Sequence, residues 1–121
     1  MKDKALFWTF IRECQIPADV DDLLIKGEEA VAAYSTIRDC AIFTNKRLII
    51  KDSQGITGKK IEMYSIPYAN INMWSTENAG VVDLTSEVEL WTRAGHFKIR
   101  LSKGIDVRKF DKLMATYVMN K

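Results

Sequence analysis

Residues 39–67, DCAIFTNKRLIIKDSQGITGKKIEMYSIP, predict three consecutive antiparallel strands. Two apolar runs, CAIF and LII, are separated by the polar break TNKR, which is typical of a β-hairpin turn. A second break, DSQGITG, supplies two glycines for positive φ before the next strand, which ends at Pro67 because proline has no N–H for a ladder. A meander this compact indicates a small antiparallel barrel or sandwich.

Alternating side chains predict four more strands, which bring the total to seven. These strands are 30–37, 71–77, 87–92 and 96–101. In the strand 71–77 we expect Met73 to face inward and Trp74 to lie outward or at an edge. After Asp106, a good N-cap, apolar residues recur at helical spacing as far as Val118. The sequence therefore predicts a mainly β domain in which one C-terminal helix packs across an open end of the strands.

The first part of the chain predicts an N-terminal helical extension over 1–27, followed by one domain over 28–121. Its second helix begins after Asp19, a plausible N-cap, and ends at Gly27.

A first helix is predicted over residues 4–12, where Leu6, Phe7, Phe10 and Ile11 form one stripe and Trp8 stands apart from it. The segment carries more aromatic surface than one or two helical turns can hide. Three placements remain open: on the domain's own core, on a neighbouring subunit, or less readily on a membrane.

The composition is that of an ordinary globular domain, with 121 residues, 47% apolar and 28% charged. No apolar run approaches the roughly 20 residues that cross a bilayer. The apolar start of the chain has no signal-peptide cleavage site, so we expect a cytoplasmic protein. Two cysteines are too few for a disulfide framework and lack zinc-site spacing. Cys40 lies in an apolar strand and is interpreted as a small core residue.

No residue pattern indicates catalysis, a metal site or a cofactor. His96, the single histidine, lies on the polar face of a strand beside Lys98 and Arg100, where we expect it to be solvent-exposed. The net charge of +2 is far from the strongly basic footprint of a nucleic-acid-binding domain. The sequence therefore favours a non-enzymatic protein that does not bind nucleic acid.

Several motifs occur in one order along the chain: FTNKRLII, QGITGKK, SIPY and the pair Leu90-Trp91. Together they resemble the bacterial pleckstrin-homology (PH) domain family, small PH-like proteins without an assigned biochemical activity. The resemblance covers roughly residues 27–120. It implies a PH-like fold and assembly into cyclic homo-oligomers, pentamers among them.

One candidate ligand patch consists of the basic pairs in two hairpin connections, Lys46-Arg47 and Lys59-Lys60. Such cations can bind phosphate or an anionic lipid headgroup at a membrane surface. In eukaryotic proteins of this fold, the phosphoinositide site resembles a basic cradle on the first two strands and a long loop between them. Here the connection between the first two predicted strands is only Arg38-Asp39, so this part of the resemblance fails. Solvated turns are the alternative interpretation of these pairs.

A candidate subunit interface is centred on Trp91, which alternates with Glu87 and Glu89 on the face opposite the apparent core residues. Aromatic residues are enriched in interface cores. The acids predict a basic partner surface on a neighbouring copy, which is either the Lys59-Lys60 loop or the basic side of the terminal helix. That side carries Arg108, Lys109 and Lys112.

The charge pattern fits such a contact, since the blocks 1–29, 30–60, 61–92 and 93–121 alternate between net negative and net positive. Unlike surfaces that meet head to tail form a closed ring when the rotation between neighbouring copies permits it. Two alternatives remain open: the charges cancel within one barrel, or Trp91 fills a second cluster under the N-terminal segment. A protein or peptide partner also fits an interaction module of this kind.

Overall fold

The computed structural model describes residues 6–54, 60–77 and 85–120. In these ranges eight strands are followed by one helix. The strands are β1 (Leu6–Cys14), β2 (Ala30–Thr36), β3 (Cys40–Thr44), β4 (Arg47–Gln54), β5 (Lys60–Pro67), β6 (Ile71–Thr76), β7 (Ser86–Thr92) and β8 (Gly95–Leu101), and the helix is α1 (Val107–Met119). Strands β2 to β8 are the seven predicted from the sequence, and the C-terminal helix is confirmed.

The strands form a single sheet in the order β5-β4-β3-β2-β1-β8-β7-β6. All neighbours are antiparallel except β1 and β8, which run parallel. Among the described residues, β5 pairs only with β4, and β6 pairs only with β7. The sheet is therefore open, with β5 and β6 as its two edge strands, and is not the closed barrel that the sequence suggested. The two edges lie at opposite ends of the strand order.

The predicted N-terminal helix over 4–12 is wrong, because the chain from Leu6 to Cys14 is strand β1. This strand lies in the middle of the sheet, between β2 and β8. Trp8 and Phe10 are buried, whereas Phe7, which precedes Trp8, is 49% exposed. The period is therefore two rather than 3.6, and Trp8 belongs to the core. The division into an extension over 1–27 and a domain over 28–121 remains a prediction.

One side of the sheet, called here the helix side, packs against α1. Asp106 caps this helix as predicted, since its carboxylate accepts a hydrogen bond of 3.1 Å from the Lys109 N–H. Phe110, Met114 and Val118 follow at a spacing of four residues, and all three are buried. They belong to the main core together with the apolar side chains that alternate along each strand and point to the helix side.

The opposite side of the sheet, the outer face, is covered over β2, β3 and β4 by the segment between β1 and β2. Val20 of this segment joins Ala33, Ile42 and Ile49 in a second cluster. Cys40 lies in the same cluster, which confirms its interpretation as a core residue. The predicted second helix is reduced to a 3-10 turn at Val20–Asp22.

Strand β6 contains an irregularity between Ile71 and Met73, where the register with β7 shifts. Beyond it Trp74 pairs with the buried Leu90 and is half-buried on the helix side. Met73 is 53% exposed on the outer face. The predicted orientation of Met73 and Trp74 is therefore wrong, because a bulge reverses the alternation that the sequence pattern assumes.

Candidate functional site

A row of three side chains crosses the uncovered part of the outer face. Met73 of β6 pairs with Trp91 of β7, which pairs with His96 of β8. The Trp91 and His96 rings stack with centroids 4.9 Å apart and an angle of 15° between their planes. His96 is therefore half-buried and not solvent-exposed as predicted. Trp91 faces away from the main core, as its alternation with Glu87 and Glu89 indicated.

The acids beside this row already have partners within the chain. The Glu89 carboxylate contacts Nε2 of His96. Glu87 lies 4.0 Å from the Lys98 ammonium group. The acids of this face are therefore engaged within the chain, and exposed pairs of this kind contribute little to stability.

The predicted basic partner surface lies on α1. Lys109 forms an ion pair of 2.8 Å with Glu13 at the end of β1. Arg108 and Lys112 are exposed and line a groove beside Thr76, the last residue of β6. These cations and Trp91 therefore flank the same edge strand, β6, on opposite sides of the sheet.

A second exposed apolar patch lies on the other edge strand, β5. Ile61 pairs with Ser53 and Met63 with Lys51, so both side chains point to the outer face. They are 52% and 49% exposed. Lys60 precedes them and is exposed as well. Sequence reasoning missed this patch, because alternation alone did not show which face of β5 lies over the core.

The predicted ligand patch is not brought together by the fold. Lys59 lies outside the described residues. Arg47 pairs with Pro67 at one end of the β4–β5 hairpin, whereas Lys60 pairs with Gln54 at the other. A strand rises about 3.3 Å per residue, so roughly 20 Å separates the two ends. Lys46 is exposed beside Arg47 and far from Lys60.

Arg47 has a structural role, because its side chain is held by Glu28. Its Nε lies 2.8 Å from Oε2 of Glu28, whose side chain is fully buried. Its terminal nitrogens donate to Oε1 of Glu28, to the Leu23 carbonyl and to Ser65 Oγ. Thr44 also donates to Glu28, at 2.7 Å. This network fixes the covering segment to the β3–β4 turn.

The charge state of Glu28 follows from these contacts. Burial by itself raises the pKa of Glu28, but hydrogen bonds from Arg47, Thr44 and the Ile25 N–H outweigh this effect. The pKa falls from 4.5 to about 2. Glu28 is therefore ionised at neutral pH, and Arg47 is not available to a ligand.

A different pair of cations borders an open cavity of about 230 Å³ between β1 and the β2–β3 turn. Arg38 and Lys51 line it together with the exposed apolar residues Phe7 and Ile37. Arg38 Nε lies 2.9 Å from Oδ1 of Asp52 and donates to the Ser53 carbonyl at 2.7 Å. No sequence pattern marks either cation as a ligand contact, because the cavity is made by strands distant in the chain.

The described residues include no group of three or more histidine, cysteine or acidic side chains that could hold a metal ion. Burial raises the pKa of the Cys40 thiol to about 11, so this cysteine is a poor nucleophile at neutral pH. Within the same ranges, no helix is both long and apolar enough to cross a membrane.

Comparison with known proteins agrees with this fold. The family model "Bacterial PH domain" matches residues 2–118. The uncharacterised protein YjqA of Bacillus subtilis (strain 168) is 47% identical over 76 residues, which is 63% of this chain and 61% of that relative. The chain thus spans less than two thirds of the length of YjqA. YozO, another uncharacterised protein of that organism, is 27% identical over 82% of this chain and 86% of its own length.

Solved structures give the same answer. A DUF1696 family protein with a pleckstrin-homology domain from Shewanella loihica PV-4 superposes with a TM-score of 0.75 at 37% identity, covering 83% of this chain and 87% of that one. A pleckstrin-homology domain from Shewanella amazonensis SB2B gives 0.69 at 39% identity, with 84% and 83% covered. The resemblance inferred from the sequence motifs is thereby confirmed: the chain belongs to the bacterial PH domain family.

Proposed function

We propose that the chain is a non-enzymatic interaction module of the cytoplasm whose copies associate head to tail into a closed ring. One observation carries the proposal. Two exposed apolar patches lie on the same face of one open sheet, at the two ends of its strand order. The first patch is Ile61 and Met63 on β5, and the second is Met73 and Trp91 at the β6 end.

The position of these patches favours unlike surfaces in contact. A head-to-tail contact needs two different surfaces of the subunit. The β5 patch, with Lys60 beside it, lies on one edge strand, and Trp91 lies beside the other, β6. Arg108 and Lys112, on the basic side of α1, flank the same edge strand as Trp91. Of the two partner surfaces considered for Trp91, the β5 end is therefore the better one.

Edge strands support the same proposal. Exposed edges invite pairing with other chains, and monomeric proteins usually protect them with charges, proline or a covering segment. Here the edge strand β5 exposes Ile61 and Met63, and β6 exposes Met73. Burying these side chains in a contact between copies removes apolar surface from water, which is the main driving force of association.

Light scattering on the purified full chain tests the ring. We expect a single species with several times the 13.9 kDa subunit mass. Met63→Glu and Trp91→Ala, each at one of the two patches, should both reduce the mass to that of a monomer and leave the circular dichroism spectrum unchanged. Ile25→Glu is the matched control, since Ile25 is 62% exposed outside both patches. A wild-type monomer would contradict the proposal.

A second candidate function is binding of an anionic headgroup or another phosphate-bearing ligand. The observation that favours it is the cavity bordered by Arg38 and Lys51, with Phe7 and Ile37 exposed beside the cations. Apolar side chains next to cations suit a membrane surface. Lys60 lies toward the same end of the β4–β5 hairpin as Lys51, whereas Lys46 lies at the other end.

Sedimentation with vesicles of anionic and neutral lipid tests this candidate. Arg38→Gln combined with Lys51→Gln should abolish binding to the anionic vesicles. Lys46→Gln combined with Lys103→Gln removes the same charge elsewhere and should not. The candidate fails if the wild type does not bind vesicles at low salt.

A further inference from the structure

The edge strand β6 and helix α1 enclose a groove that neither of the functions proposed above uses. Its volume is about 340 Å³. Thr76 forms the strand side, and five residues of α1 form the other side: Val107, Arg108, Asp111, Lys112 and Ala115. The groove lies on the helix side of the sheet, opposite the face that carries Met73 and Trp91.

The two walls of this groove are held at a fixed distance by Asp111. Its Oδ1 accepts a hydrogen bond of 2.9 Å from the Trp74 indole N–H. The same oxygen accepts one of 2.6 Å from the Thr76 hydroxyl. Helix and strand are thus joined at the base of the groove. It is formed before any ligand binds, which lowers the entropic cost of binding.

The strand wall offers main-chain hydrogen-bonding groups. The Glu77 N–H donates to the Glu87 carbonyl at 2.8 Å, and bonded pairs alternate along an antiparallel ladder. The N–H and C=O groups of Trp74 and Thr76 therefore point away from β7. In the described part of the chain no strand lies beyond β6. An extended segment added at this edge would find these groups in position to bond.

The helix wall offers charge and a small apolar surface. Arg108 and Lys112 are four residues apart on one helix and are both exposed. No carboxylate of residues 6–54, 60–77 or 85–120 lies within ion-pair distance of either cation. Val107 and Ala115 extend the wall with apolar atoms. Alternate side chains of an added strand would point toward this wall.

We propose that the groove between β6 and α1 binds an extended acidic peptide segment as a ninth strand, with its carboxylates on Arg108 and Lys112. An extended segment is required because the available main-chain groups belong to an edge strand. Acidic side chains are required because the two cations that line the groove have no carboxylate partner among the residues that the structure describes. The acidic side chains would lie on the helix side of β6, whereas Met73 and Trp91, which the ring uses, lie on the outer face.

The test uses a fluorescein-labelled nine-residue peptide in which two glutamates alternate with valines. The control peptide has glutamine in place of each glutamate. Fluorescence anisotropy with the full chain should show that the glutamate peptide binds at least about tenfold more tightly, since charge-assisted hydrogen bonds exceed neutral ones. Arg108→Gln combined with Lys112→Gln should abolish the difference. Lys46→Gln combined with Lys103→Gln, which removes the same charge elsewhere, should preserve it.

Two further measurements test the strand addition. Thr76→Pro removes the outward N–H and should abolish binding, whereas Thr76→Val removes only the hydroxyl and should leave most of it. In the wild type, hydrogen exchange followed by NMR should show that the peptide protects the Trp74 and Thr76 amides. Equal affinity for the two peptides, absence of saturable binding, or protection at β5 in place of β6 would overturn the proposal.

Discussion

At the scale of single residues, Glu28 and Arg47 show how a cation that looks like a ligand contact can be part of the framework. The motif TNKRLII places Arg47 at the start of a strand, where basic side chains are usually solvated. In the fold its guanidinium group donates hydrogen bonds to the buried carboxylate of Glu28 and to the Leu23 carbonyl. The partner Glu28 is 19 residues away in the sequence, and no local pattern connects the two.

Because of this pair, we expect the unfolding free energy of the domain to fall at acidic pH. The pKa of Glu28 is lowered in the folded state, so its contribution is complete above the unfolded pKa and is lost as the pH falls toward about 2. We expect the wild type to lose about 2 to 3 kcal/mol of unfolding free energy through Glu28 between about pH 5 and pH 2. Urea denaturation across this range measures the loss.

The comparison is with Glu28→Gln, which has no carboxylate to titrate. Its unfolding free energy should lie well below that of the wild type at neutral pH, with the two values converging at low pH. Glu29→Gln changes an exposed neighbour and should follow the wild-type curve. A constant difference between Glu28→Gln and the wild type at all pH values would show that the ion pair is not the cause.

At the scale of elements, β1 allows an experimental choice between a helix and a strand for the N-terminal segment. As a strand it buries Trp8 and exposes Phe7. We therefore expect Trp8→Ala to cost about 4 kcal/mol of unfolding free energy and Phe7→Ala less than about 1 kcal/mol. Chemical denaturation of the two variants measures this. A larger loss for Phe7→Ala would favour the helical stripe.

The conformation of this segment could not be predicted from its own sequence. Leu6, Phe7, Phe10 and Ile11 fit a helical stripe, while Leu6, Trp8 and Phe10 fit an alternating strand. Nothing within nine residues decides between the two patterns. The decision comes from β8, which pairs with β1 from Leu6 to Phe10 although it lies at the far end of the chain. The other seven strands and α1 were predictable, because each has a turn or a cap in the adjacent sequence.

The surfaces were harder to predict than the elements, for a related reason. Trp91 was identified because a large aromatic side chain on the polar face of a strand is conspicuous. Met63 and Met73 were not, because their exposure depends on which strands lie at the edges of the sheet. The bulge in β6 has no sequence signal, and it moves Met73 to the face that carries Trp91.

At the scale of the whole molecule, the proposed ring should depend little on salt. The patches that meet are apolar, and Glu87 and Glu89 already contact Lys98 and His96 within the chain. Added salt screens exposed charges but does not weaken apolar contacts. We expect the mass measured by light scattering to be the same at about 0.05 M and about 1 M NaCl. Dissociation at high salt would show that charge pairs hold the subunits together.

The place of β1 in the sheet also determines when the domain can be completed during synthesis. Strands β2 to β5 form a local meander in which each strand pairs with the next one along the chain. The bonds between β1 and β8 join residues that are about 90 positions apart, and closing so long a loop is entropically costly and slow. Until β8 is made, the edge of β1 that later pairs with β8 has no partner strand, and the aromatic side chains of β1 lack their neighbours from β8. A nascent chain therefore depends on its last strand to protect its first.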